Sequence, residues 1–90
     1  MDIASIYREI AMILRGLGAE RIFLLASKIR KLGDRTCVSV EVIADTVPDM
    51  AVALTRIQGI CPDLDCRLLD GAEDANYDLW REAEEDGIQL

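Results

Sequence analysis

The apolar pattern of this chain changes period four times within ninety residues, between about 3.6 and 2, and few folds can absorb that alternation. Ile3, Ile6, Tyr7, Ile10, Ile13, Leu14 and Leu17 recur at helical spacing, with Asp2 placed as an N-cap and Gly16 and Gly18 placed to end the helix. Residues 21–26 form a short apolar run that suits a strand buried on both faces, and a polar, basic loop is expected from there to Thr36. Residues 37–44 alternate strictly. Val38, Val40 and Val42 fall on one face, and Ser39 and Glu41 on the other.

Thr46-Val47-Pro48-Asp49 has the form of a helix start, with Thr46 as cap and Pro48 in the first turn, and Met50, Ala53, Leu54, Ile57 and Ile60 supply the buried stripe. A third strand is predicted from Leu64 to Leu69, with Asp65 and Arg67 facing one way and Leu64, Cys66 and Leu68 the other. Asp70-Gly71 turns the chain into a last helix over 74–86, whose inner face is Leu79, Trp80 and Ala83 and whose break is Gly87. Tyr77 and Trp80 read as core anchors, and Ile88-Gln89-Leu90 as a short edge strand. The expectation is one α/β (α+β) domain over residues 1–90: a small mixed sheet of three to four strands with three helices, in the order α-β-β-α-β-α.

A chain of this length buries only about 60–65% of its unfolded surface, which leaves room for a modest core but not for a deep cavity. No apolar run approaches a membrane span, and Asp2, Arg8 and Glu9 near the start do not suit a signal peptide. A soluble protein of the cytoplasm is therefore expected. Histidine is absent, and the three cysteines form no C-x-x-C pair, which removes the common zinc spacings, a disulfide framework and any Ser-His or Cys-His nucleophile. The formal charge of −7 is unevenly spread. Residues 1–40 carry seven cations and four acids, and residues 41–90 three and thirteen, a balance of +3 against −10. General nucleic-acid binding is not expected of so acidic a chain, but a local anion site at Lys28, Arg30, Lys31 and Arg35 is compatible with it.

Chemistry is best supported where Ala26-Ser27-Lys28-Ile29-Arg30 follows the first strand, Ser39-Val40-Glu41 lies on the second and Asp65 on the third. If the strands are neighbours, Ser39, Glu41 and Asp65 share one sheet face opposite a turn at Ser27. Carboxylates of this kind hold Mg²⁺, and a helix start flanked by Lys or Arg suits phosphates. Each residue also has a structural reading: Ser27 as a plain helix N-cap, the cations as a solvated loop, Glu41 and Asp65 as surface acids.

These segments resemble the minimal nucleotidyltransferases of the DNA polymerase β superfamily. Leu24-Leu25-Ala26-Ser27-Lys28-Ile29-Arg30-Lys31 is similar to their L-F-G-S-x-A-R-G motif, and Val38-Ser39-Val40-Glu41-Val42-Ile43-Ala44 to S-D-[IV]-D-L-x-V. Leu64-Asp65-Cys66-Arg67-Leu68-Leu69-Asp70 is similar to their third strand, V-D-L-V-x-L-D, and residues 81–90 to their closing helix and strand. The resemblance implies Ser27, Lys28 and Arg30 at the nucleotide phosphates and metal ligands at positions 39, 41 and 65. This chain departs from the motifs at the positions that matter for the chemistry, with Ala26 and Lys31 for glycines, Ser39 for the first aspartate and Glu41 for the second.

A neutral serine cannot supply the missing charge of a two-metal site. The resemblance, with that loss, implies a degenerate, non-catalytic member without a cofactor that acts through protein–protein interaction. Its expected partner is a helical HEPN-type protein in a toxin–antitoxin-like pair, or a second copy of itself. Two alternatives stand: an active nucleotidyltransferase using Mg²⁺, a nucleoside triphosphate, Glu41 and Asp65 for adenylyl transfer, and an unrelated small α/β interaction module.

Overall fold

Helix α1 spans Ile3–Gly16, and the Asp2 carboxylate accepts a hydrogen bond from the Ser5 amide at 2.8 Å, so the cap is the expected one. The computed structural model describes residues 2–90. It continues through β1 (Ile22–Leu32), β2 (Arg35–Ala44), α2 (Met50–Gln58), β3 (Leu64–Asp70), a 3₁₀ turn over Asp74–Asn76, α3 (Tyr77–Asp86) and β4 (Ile88–Gln89). The protein is thus a mixed α+β fold with three helices and one four-stranded sheet in the order β3-β2-β1-β4. Strands β1 and β2 are antiparallel, β2 and β3 parallel, and β4 is antiparallel to β1.

Helices α1 and α2 cover one sheet face. Ile6, Ile10, Leu14, Ala53 and Ile57 pack there on Ile22, Leu24, Val38, Val40, Val42, Leu64, Cys66 and Leu68, which form the larger core. Helix α3 covers part of the opposite face, where Ala83, Leu79 and Trp80 pack on Phe23, Ile43, Leu25 and Leu69. Phe23 and Trp80 meet edge to face with centroids 5.4 Å apart.

Four local expectations are corrected. The segment expected as a basic loop after Ala26 is strand: β1 runs on to Leu32, the chain reverses at Gly33-Asp34, and Leu32 pairs with Arg35. Gly33 has φ +64°, the conformation that two-residue hairpin turns take from glycine. The α2 cap is Asp49 rather than Thr46, because the Asp49 carboxylate reaches the Val52 amide at 3.1 Å and Pro48 falls before the helix. The 74–86 segment begins as 3₁₀ and becomes α-helical only at Tyr77. Tyr77 is exposed and lies against Arg81, since it opens α3 ahead of the residues that meet the sheet.

Cys66 sits in the larger core, and burial pushes its thiol up to about 11, with the neighbouring Asp65 charge acting in the same direction. Cys37 and Cys61 are only half-buried. Iodoacetamide at pH 8 is expected to alkylate Cys37 and Cys61 at least about tenfold faster than Cys66, because thiolate is the nucleophile. Peptide mapping by mass spectrometry checks this, and equal labelling of all three would place Cys66 outside the core.

Candidate functional site

Part of the sheet face shared with α3 stays uncovered: Ser39 and Glu41 are only half-buried, and Lys28, Asp65 and Arg67 are exposed. Register places two rows of side chains there. Lys28 pairs with Ser39, which pairs with Asp65; Ala26 pairs with Glu41, which pairs with Arg67. Residues opposite one another on neighbouring strands project to the same face. Ser39, Glu41 and Asp65 therefore converge as their alternation in sequence required, and with Lys28 and Arg67 they line a hollow of ≈ 240 Å³.

Ser27 also borders this hollow, but its side chain does not join the two rows. The β1–β2 register shifts between Leu24 and Ala26, leaving Leu25 as an extra residue in β1. Beyond this bulge every side chain of β1 changes face. Ser27 pairs with Val40 and projects toward α1, where the Tyr7 hydroxyl donates a hydrogen bond to its Oγ. Lys28 takes the position beside Ser39 instead. Neither a turn nor a helix start exists at Ser27, because β1 continues through it, so the amide cradle expected for phosphates is not formed. Arg30 is on the same face as Lys28, two residues nearer the hairpin tip.

Arg67 was recognisable in sequence only as a companion of Asp65. In three dimensions it is the main partner of Glu41: its Nη1 donates to Glu41 Oε2 at 3.3 Å. The four charged groups lie in two rows: Lys28 and Asp65 flank Ser39 in one, and Glu41 adjoins Arg67 in the other. Two cations and two anions cancel locally. The exposed Arg67–Glu41 pair contributes little stability, on the order of 0.2–1 kcal/mol, so its main consequence is electrostatic.

A two-Mg²⁺ centre needs several hard, anionic oxygens around each ion. Ser39 is neutral, Glu41 is engaged by a guanidinium, and Lys28 repels a cation approaching Asp65. Among the described residues no group of three or more His, Cys, Asp or Glu side chains is placed to hold a metal ion. The donor set does not fit the metal pair that the resemblance implies. The hollow is also below the roughly 300–1,000 Å³ of sites that enclose a small molecule.

Two further acids adjoin the site. Glu82 and Asp86 of α3 border a second hollow with Leu25, Leu79 and Glu41. Their approach to Glu41 follows from where α3 docks, which no local pattern encodes. Elsewhere, Arg21 pairs with Glu84 at 3.0 Å and stacks 5.4 Å from the Trp80 ring. Arg35 pairs with Asp63, and its guanidinium holds the Asp63 carboxyl below its ordinary value. No protein-family model, curated protein or solved structure matches this chain.

Proposed function

We propose that this chain is a degenerate protein of nucleotidyltransferase-like design that does not transfer nucleotides and acts in the cytoplasm by binding another protein. The observation that supports this most directly is the Arg67–Glu41 pair. At the position where the resembled enzymes would hold a divalent cation between carboxylates, this chain supplies its own cation from β3. A metal would have to displace that guanidinium, and would then meet one glutamate, one aspartate and a neutral serine. A protein-binding role in a toxin–antitoxin-like pair, with a helical HEPN-type partner or a second copy, is the function left to such a scaffold.

The coincidence of Glu41 and Asp65 on one face favours the competing reading of an active Mg²⁺-dependent transferase, so the experiment addresses both. With Mg²⁺ and each of the four nucleoside triphosphates, no label transfer is expected. Amide and side-chain NMR signals of Lys28, Glu41 and Asp65 should also stay in place at millimolar nucleotide. Turnover that disappears in Glu41→Ala would overturn the proposal and establish the enzyme.

A further inference from the structure

Two long stretches of strand edge are unpaired among the described residues, the outer side of β3 and most of the outer side of β1, and only the β1 edge is flanked by several cations. On its inner side β1 pairs with β2 from Ile22 to Leu32, but on its outer side β4 pairs only with Phe23 and Leu24. The Leu90 amide adds one bond to the Ile22 carbonyl. Every residue from Ala26 to Leu32 is exposed. Alternate residues of this segment direct N–H and C=O groups away from β2, with no strand to receive them.

The side chains on this edge have a consistent chemistry. Lys28 and Arg30 project to the face shared with α3, and Lys31 to the face shared with α1, so cations flank the edge on both sides. Among the described residues none of the three has a carboxylate within ion-pair distance. Ile29 is 53% exposed and Leu32 62%, one on each face, beside the 64% exposed Ile88 of β4.

The geometry points to β-strand addition: the Ala26–Leu32 edge receives an extended, acidic segment of a partner protein, which lies end to end with β4 and pairs antiparallel or parallel to β1. Main-chain hydrogen bonds supply affinity in such a complex, and alternate side chains supply selectivity. Acids on both faces of the incoming strand meet Lys28, Arg30 and Lys31, while its apolar residues meet Ile29 and Leu32. The same cations disfavour a second copy of this chain, because a two-fold pairing would set the basic edge against itself, and like charges opposite one another destabilise a sheet. A polynucleotide fits less well: the ribbon has no aromatic side chain for base stacking, and the body of the molecule is strongly acidic.

This inference rests on the reading that the chain acts by binding a protein and adds the surface and the partner's chemistry. Its test is a titration of the intact protein, followed by NMR, with a peptide of about ten residues repeating Glu-Glu-Val-Val, which carries acids on both strand faces and is long enough to span the edge. Three other probes are run beside it: the same peptide with a central proline, the matching Lys–Val peptide, and a short single-stranded thymidine oligonucleotide. The Glu–Val peptide is expected to bind and to shift the amides of residues 26–32. The triple variant Lys28→Glu/Arg30→Glu/Lys31→Glu, whose positions are all exposed, should weaken binding about tenfold or more, as three lost charge pairs would.

The proline peptide should lose a comparable factor, because it cannot complete the ladder. The proposal is overturned if the Glu–Val peptide fails to bind at millimolar concentration or moves amides elsewhere. It is equally overturned if the proline peptide or the oligonucleotide binds as well, which would make the edge a diffuse anion patch. Nucleotide turnover would defeat the non-catalytic reading without touching these results, so the two failures are distinguishable.

Discussion

Gly71→Ala is expected to destabilise the protein by about 2–3 kcal/mol, the upper part of the range for forcing extra volume into a packed site. A Cβ built at Gly71 lies 2.7 Å from the Ala44 carbonyl oxygen and 2.8 Å from Trp80 Cε3. The first neighbour is backbone at the end of the central strand β2, which also accepts the Gly71 amide at 2.7 Å, so it cannot move aside without breaking that bond. The second is the ring that anchors α3. At roughly 4–8 °C per kcal/mol for a domain of this size, the melting temperature should fall by about 10–20 °C. Near-ultraviolet circular dichroism should weaken with it, since Trp80 is the only tryptophan. A variant melting within about 2 °C of the parent would show that the turn between β3 and α3 is looser than the close approach implies.

Ile43→Ala is expected to cost about 2–5 kcal/mol, the sum of lost transfer energy and an unfilled cavity. Ile43 has no exposed surface and packs with Phe23 and Ala83 in the smaller core. That small core supplies the apolar contact of α3 with the sheet, so little surrounding structure can collapse into the gap. Urea denaturation followed by Trp80 fluorescence measures the loss. Met12→Ala serves as the comparison: Met12 is 59% exposed on α1, and its removal should change stability by less than about 0.5 kcal/mol. Equal effects at the two positions would mean that α3 is not held by the smaller core.

The alternation of residues 37–44 and 64–69 in sequence already assigned Val38, Val40, Val42, Leu64, Cys66 and Leu68 to one face and Ser39, Glu41, Asp65 and Arg67 to the other. The structure follows that division residue for residue. It was legible because both strands are half-buried, and a half-buried strand must repeat every second residue. The hairpin beyond Ala26 lacked that signal. Ser27 to Thr36 is exposed on both faces, so no apolar rhythm marks it as strand.

Position 27 shows the same limit more sharply. A single extra residue at Leu25 inverts the parity of everything after it and exchanges Ser27 for Lys28 in the charged patch. A bulge forms when the best register on one side of it conflicts with the best register on the other. Neither register is written in the local residues alone.

What the sequence determined by itself, then, was the set of elements, the order of their types and the inward faces of the strands flanked by core, because apolar periodicity is a local property that burial enforces. The tertiary structure alone decided that Arg67 would neutralise Glu41, that Glu82 and Asp86 would adjoin it, and that the β1 edge would stay unpaired. Those facts depend on which strand lies beside which and where α3 lands, and such long-range adjacency is settled by the packing of the whole chain.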